Sequence, residues 1–377
     1  MVIAVNTRLL IEDKLEGIGW FTFETLKRIT QNHPQHQFIF IFDRPYNEKF
    51  IFAKNITPVV ISPPTRHPVL WYFWFEFRIP GILKKYKADL FLSPDGYLSL
   101  NTKTPQLAVI HDINFVHRPK DLPWLKAKYY NYFFPKFARE ATRIATVSNY
   151  SKKDITHSFT IDEEKIDVVY NGINTAYTPT PPGNQKATRK KYTSGSEYFL
   201  FVGALHPRKN ITGLLEAFDT FKVKDKKGIK LLIVGGQMHK TGKISETYKN
   251  MQFKNDVVFT GRVPTSKLHS ILGAALALTF IPFFEGFGIP VVEAMSAGVP
   301  VICSNTTSLP EVGGEAVIYV DPNNSGQISD AMKLLAGNSE KRNELIQKGF
   351  IQKEKFSWGK TAKLLWKSIE KAIADKY

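Results

Sequence analysis

The sequence predicts an α/β protein of two domains, each a parallel sheet covered by helices on both faces. Three observations predict it. Short apolar runs alternate with segments of helical period along nearly the whole chain. Many of these runs end in glycine or in a polar loop, where the strands of a parallel sheet deliver their functional groups. A proline-rich, polar and basic stretch, 178–197, interrupts the pattern near the middle, after which it restarts. The 377 residues exceed one ordinary core, and two domains of roughly 150–200 residues follow.

Composition limits the function classes. A hydrophobic content of 43% with 23% charged residues describes a globular chain. Cys303 is its only cysteine and lies in an apolar run, which excludes a disulfide within the chain and points to a reducing cytoplasm. No stretch reaches the ~18 apolar residues of a membrane span, and the start MVIAVNTR is unlike a secretion signal, so a soluble cytoplasmic protein is expected. The net charge of +17 favours anionic partners. Zinc-finger spacing, basic heptads and an RNA-binding aromatic signature are missing, and nucleic acid is not expected as a partner.

In the first half, Val2 to Val5 reads as a strand, followed by a loop with Gly17 and Gly19 and a helix from Trp20 to Ile29. A lone Gly-x-Gly marks a turn as readily as a ligand loop. Strands follow at His36 to Phe42, Ala88 to Leu92, Gln106 to Ile110, Ile144 to Val147 and Ile166 to Tyr170. The strand from Gln106 delivers His111 and Asp112 to its carboxyl end, where histidine can donate a hydrogen bond or carry a proton and aspartate can fix a loop or contact a hydroxyl. Ser151 reads as the cap of a helix from Lys152. VLWYFWFEFRI at 69–79 and KAKYYNYFFPKFAR at 126–139 combine aromatics with flanking cations. Each reads two ways, as a helix wedged between domains or subunits, or as a surface meeting a bilayer interface.

The second half places strands at Tyr198 to Val202, Lys230 to Val234, Val257 to Thr260, Ala277 to Phe283 and Ala316 to Val320, with Gly203 and Arg262 just past two of them. The loop GALHPRKN brings Arg208 and Lys209 to a helix start, where a guanidinium fork, an ammonium and exposed backbone N–H groups suit a diphosphate. The stretch TFIPFFEGFGIPVVEAMSAGVPVIC, 279–303, reads as strand, glycine loop, helix and strand. Pro290 suits the first helical position and Gly298 with Pro300 its end, so a helix of about 290–297 is expected, with Glu285 before it and Glu293 in its first turn. Gly286 and Gly288 let the backbone approach a ligand. A carboxylate beside a diphosphate cannot be its ligand, so both glutamates are read as acceptors for sugar or ribose hydroxyls; the plain alternative is a solvated pair favouring the helix dipole.

Taken together, EGFGIPVVE followed by AMSAGVPVI, and in order GIG, IHD, TVSNYSKKDI, VVYNGI, VGALHPRKN and LPEVGG, resemble the retaining glycosyltransferases of family 4 over nearly the whole chain. The resemblance implies the GT-B fold, two facing Rossmann-like domains. It implies an N-terminal acceptor-side domain of 1–177 plus about 360–377, and a nucleotide-sugar-binding domain of 178–359, the last helix returning to the first domain. It implies that Glu285 contacts the donor sugar, with the backbone of Gly286, Phe287, Gly288 and Ile289 along sugar and phosphate. Glu293 would hold the ribose diol, and Arg208 and Lys209 the diphosphate. Gly17, Gly19, Gly203 and Arg262 would complete the donor site, and His111 and Asp112 would line the acceptor side. Relatives carry Arg where this chain has Ala204, a departure that Arg208 can offset.

The implied reaction is transfer of a hexosyl group from a GDP- or UDP-sugar to a saccharide or lipid-linked saccharide, with retention. No cofactor and no metal are expected, since no Asp-x-Asp site is evident. Contact with the inner face of the membrane through the N-terminal domain is the accompanying expectation. The rival readings are a nucleotide-sugar epimerase or phosphorylase of the same fold, a glycosidase using Glu285 and Glu293, and a non-enzymatic basic protein binding membranes or nucleic acid.

Overall fold

The computed structural model describes residues 1–12, 15–236 and 242–375. It divides into two compact units, Met1–Gly172 with Phe356–Tyr377, and Ile173–Lys355. The first holds β1 (Val2–Asn6), β2 (Gln37–Phe42), β3 (Ile56–Val60), β4 (Leu90–Ser93), β5 (Gln106–Val109), β6 (Arg143–Thr146) and β7 (Ile166–Val168). The second holds β8 (Tyr198–Val202), β9 (Lys230–Val234), β10 (Val257–Gly261), β11 (Ala277–Phe280), β12 (Val301–Ser304) and β13 (Ile318–Val320). The sheet orders are β3-β2-β1-β4-β5-β6-β7 and β10-β9-β8-β11-β12-β13, every pair parallel.

The two orders are the same pattern used twice. Each starts at an inner strand, winds to one edge, then returns to build the other side, so each sheet has a switch point, at β1/β4 and at β8/β11. Loops leaving those paired strands diverge to opposite faces and open a crevice at the carboxyl ends. Inner strands such as Phe38–Phe42 and Tyr198–Phe201 are buried continuously, as two-sided helix cover requires.

β3 was not expected from the sequence. It carries Pro58, which removes a ladder donor, and its place at the sheet edge is where a strand tolerates proline. The first helix starts at Gly17, not Trp20, and spans Gly17–Asn32, burying Phe21, Thr25, Leu26 and Ile29. Ser148, not Ser151, caps the helix Asn149–Phe159, accepting from the Ser151 N–H at 3.0 Å. The polar stretch 178–197, expected as linker with one charged helical turn, holds a longer helix, Pro182–Thr193, anchored by Arg189 to the Ala274 carbonyl at 2.9 Å.

The unit boundaries fall at 172/173 and 355/356 rather than at 177/178 and near 360, because packing partners decide them. The Tyr177 carbonyl accepts from Ser296 Oγ at 2.7 Å, inside the second unit. Conversely Phe356 meets Tyr170 edge-on at 5.7 Å. Gly172 lies so close to Trp358 that a Cβ there would sit 2.2 Å from its backbone nitrogen.

The last helix, Trp358–Ala374, buries Trp358, Ala362, Leu365, Trp366, Ile369 and Ala372 on one face. That face lies on the Gly17–Asn32 helix and along β4, β5 and β6. Trp366 stacks on His33 at 3.6 Å, and Lys371 pairs with Asp167 at 2.7 Å. The last two residues of the expected segment 360–377 lie outside the described residues.

Among the described residues no helix is long and apolar enough to cross a membrane. The aromatic segment 69–79 forms the helix Pro68–Phe73, a π-helical turn Trp74–Arg78 and the start of the helix Ile79–Lys85. Trp71, Trp74 and Phe75 enter the core, whereas Tyr72, Phe73 and Phe77 are exposed.

Candidate donor site

In the second unit the loops after β8 and β11, the two strands at the switch point, meet through charge. After β8 the chain passes Gly203 into a 3₁₀ turn, Pro207–Lys209. Asn210 then adopts a left-handed φ of 56° and caps the helix Ile211–Lys222, its Nδ2 donating to the Pro322 carbonyl at 2.7 Å. This clamp fixes the direction of the two residues before it. Arg208 NH1 donates to Glu285 Oε2 at 2.9 Å and to the Phe284 carbonyl at 3.1 Å. The buried Lys209 ammonium donates to the same Glu285 oxygen and lies 4.7 Å from the Phe280 ring centre.

Glu285 is itself held from behind. Its carbonyl accepts from Ser308 Oγ at 2.9 Å, and the Arg208 carbonyl accepts from the Phe283 N–H at 2.8 Å. Burial alone would push its carboxyl up, but Lys209 and Arg208 outweigh that and hold it below the usual range, so it is ionised at neutral pH. Two cations and one carboxylate leave the trio with a net positive charge.

The glycine loop follows directly. Gly286 and Phe287 are buried, and Gly288 takes φ 103°, with Leu309 Cδ2 only 2.6 Å from where a Cβ would be. That left-handed φ is what favours glycine here, since the Leu309 methyl lies at the end of a side chain that can shift. The helix runs Ile289–Ser296, with Pro290 second rather than first. Glu293 is thus its fifth residue, one position deeper than expected, and the first turn contains no acid. Burial pushes the Glu293 carboxyl up to about 8, opposed by a hydrogen bond from Tyr177. Of two glutamates eight positions apart, one is charged and the other mostly neutral near pH 7.

Arg262 sits exposed one residue past β10, the edge strand, two strands from β8. The structure thus brings Arg208, Lys209, Glu285 and the 286–289 backbone together, and leaves Arg262 at the sheet edge. Sequence reading missed Ser308 and Phe280, which hold the trio, and Tyr177, which lay inside the presumed domain boundary.

In the first unit Gly17 and Gly19 form the opening turn of their helix, Gly17 exposed and Gly19 buried. Phe21, half a turn on, presents its ring to His111 edge-on at 4.9 Å. His111 Nε2 meets the Pro94 carbonyl at 2.9 Å. A carbonyl only accepts, so Nε2 carries the proton; burial lowers the pKa of the ring, which is then neutral with Nδ1 as acceptor. Asp112 closes a turn, accepting from the Asn114 N–H at 3.0 Å. The His111 N–H thus donates to Pro94 and leaves Nδ1 as the acceptor atom, while Asp112 fixes the turn that follows.

The family-model description "Glycosyl transferases group 1" matches residues 184–352, and "Glycosyltransferase Family 4" matches 16–177. The O-antigen chain mannosyltransferase B of Escherichia coli is 30% identical over 92% of this chain and 94% of its own. The chain belongs to the group 1, family 4 glycosyltransferases. This glycosyltransferase also aligns with the O-antigen chain mannosyltransferase RfbU of Salmonella typhimurium, 26% identical over 76% of this chain and 78% of that one. Anabaena HepE, solved in complex with UDP-glucose, superposes with a TM-score of 0.76 at 15% identity, covering 98% of this chain and 100% of that chain. At that identity the superposition establishes the shared GT-B fold.

Proposed function

We propose that this glycosyltransferase moves a mannosyl group from a GDP- or UDP-linked sugar to a hydroxyl of a saccharide or lipid-linked saccharide in surface polysaccharide synthesis. The anomeric configuration is retained and no metal takes part. The Arg208–Lys209–Glu285 trio at the β8/β11 switch point carries this reading. The choice of mannose is supported by the two mannosyltransferase relatives.

Glu285, ionised and clamped, accepts hydrogen bonds from donor sugar hydroxyls, and Glu293 serves the ribose. As the bond from C1 to the phosphate oxygen breaks, negative charge grows on the departing diphosphate. Arg208, Lys209 and the N–H groups opening the Ile289–Ser296 helix stabilise it without reorganising. The acceptor oxygen bonds to C1 on the face the phosphate leaves as its O–H bond breaks, the proton passing to the departing diphosphate oxygen. On the acceptor side His111 Nδ1 offers a lone pair to a hydroxyl. Incubation with GDP-mannose, UDP-sugars and a lipid-linked saccharide tests the reading. Disaccharide formation supports it, whereas an epimerised nucleotide sugar, or phosphorolysis alone, assigns the protein to the rival activities.

We further propose that the first unit meets an anionic membrane surface. Along the helix Trp124–Glu140, Trp124, Lys128, Tyr132 and Lys136 recur every fourth residue on one stripe. Lys128 lies 4.4 Å over Trp124 and Lys136 3.7 Å over Tyr132. Exposed Tyr72, Phe73 and Phe77 adjoin it through Phe133, 5.7 Å from Tyr72. Aromatic rings suit the headgroup boundary and each lysine near an anionic surface contributes about 1 kcal/mol. Sedimentation with phosphatidylglycerol vesicles is expected, weakened about tenfold or more in Trp124→Ala/Tyr132→Ala. Equal binding by that variant would remove the surface from consideration.

A further inference from the structure

In the first unit β4 ends in a tight turn, Ser93-Pro94-Asp95-Gly96, closed by the Gly96 N–H donating to the Ser93 carbonyl at 3.2 Å. The Pro94 carbonyl takes no part in closing it and accepts from His111 Nε2 at 2.9 Å. The central peptide of such a turn can point either way, and the flipped form needs a left-handed φ at the third residue, here Asp95. Asp95 has no positive φ, and its side chain is tied down. One carboxylate oxygen accepts from Asn6 Nδ2 at 2.8 Å and from Ser93 Oγ at 3.1 Å, the other from Arg8 Nε at 2.6 Å. The side chains of Arg8 and Asp95 are only 8% and 4% exposed. The guanidinium is boxed in turn, its carbon 4.2 Å from the Tyr97 ring centre and 5.5 Å from that of Phe75. Its NH1 donates to Thr65 Oγ1 at 3.3 Å, and that hydroxyl donates to Asp43 Oδ2 at 2.6 Å. An apolar pair of the same volume is often at least as stable as a buried ion pair, so stability alone does not account for these two charges.

We infer that Arg8 is a positioning residue for His111: its ion pair with Asp95 keeps the Pro94 carbonyl turned to the His111 ring, which fixes the proton on Nε2 and leaves Nδ1 to receive the acceptor hydroxyl. The inference rests on the proposed acceptor-side role of His111 and names the residues that prepare it. Turning the central peptide over would carry Asp95 to positive φ and draw its carboxylate off Arg8. Two buried charges would then stand unpaired, which is strongly unfavourable. With that route closed, the Pro94 carbonyl stays in place, and a carbonyl admits only a protonated ring nitrogen. Phe21, edge-on to the ring at 4.9 Å, packs against it from the Gly17–Asn32 helix. Arg8 and Asp95 act through Pro94 alone and need no contact with the acceptor.

The test uses the full chain carrying Arg8→Met/Asp95→Asn, which removes both charges together and strands neither, while asparagine tolerates the left-handed φ. Asp95→Asn alone is the milder second variant, with the same expected direction. Histidine labelled with ¹⁵N reports the tautomer by NMR, the His111 signals being assigned by their loss in His111→Ala. The parent is expected to carry the His111 proton on Nε2 alone, and the variants to populate both tautomers. Acceptor kcat/KM should fall by about tenfold in the double variant, within the coupling found inside one hydrogen-bond network, with donor KM unchanged. In a His111→Ala background the same pair of substitutions should cost less than about twofold more. Two results overturn the inference alone: a proton confined to Nε2 in both variants, or the full loss repeated in the His111→Ala background, which would make the pair a matter of packing. If His111→Ala keeps the parent's acceptor kcat/KM, the acceptor-side role of His111 fails and the inference falls with it.

Discussion

Glu285→Ala is expected to lower kcat by about 10²–10³-fold or more, the range for removing one preorganised polar group from an active site. The substitution removes the acceptor for the donor sugar's hydroxyls. It also removes the counter-charge that fixes Arg208 and Lys209, so both cations turn inward on the incoming diphosphate in unplanned geometry. Nucleotide affinity should therefore hold or rise while transfer collapses, a split that misfolding would not produce. Fold survival follows from the position of Glu285 in a loop with 15% of its side chain exposed, outside the sheet core. The check is kcat and the nucleotide dissociation constant measured together with the thermal unfolding curve. Transfer at more than a tenth of the parent rate would contradict the central role of Glu285.

Lys209→Ala is expected to act on both stages, raising the donor dissociation constant and lowering kcat, each by about tenfold or more. Lys209 is the more buried of the two cations, its side chain 10% exposed against 22% for Arg208, so its charge is the less screened. Loss of one of two cations also weakens the hold on the Glu285 proton. The carboxyl pKa rises toward the value burial alone would give, and activity in the variant should fall off at a higher pH on the acid side than in the parent. Because Arg208 still pairs with Glu285, the stability cost should stay near 1–2 kcal/mol, below the 3–5 of a fully broken buried pair. A pH–rate profile of the variant with an unmoved acid limb would show that Lys209 does not govern Glu285.

The donor site was legible where its chemistry is local. EGFGIPVVE fits a strand end, a glycine turn and a helix start into nine residues, and no distant contact is needed to read it. The helix start itself was misplaced by one residue because Gly288, at φ 103°, lets Ile289 enter the helix ahead of Pro290. The meeting of Arg208 and Lys209 with Glu285 was inferable only as two strand ends sharing one sheet edge. That they pair with the glutamate, rather than stand open, depends on the switch-point order β8-β11, which no local pattern encodes. Tyr177 was beyond reach for the same reason: its partners lie far along the chain, and proline-rich sequence just after it read as linker. Helix Pro182–Thr193 was hidden by its polar composition, with only Thr188 and Thr193 buried. In the first unit the repeated alternation of strand and helix was plain, and the edge strand β3 was obscured by one proline.

The most direct test of the proposed reaction is the anomeric configuration of the product, formed from GDP-mannose in the presence of EDTA and read by NMR. The α-mannoside is predicted, at an undiminished rate. A β-linked product, or transfer that stops when divalent metal is removed, would contradict the assignment of the leaving-group charge to Arg208 and Lys209 beside a retained anomeric centre.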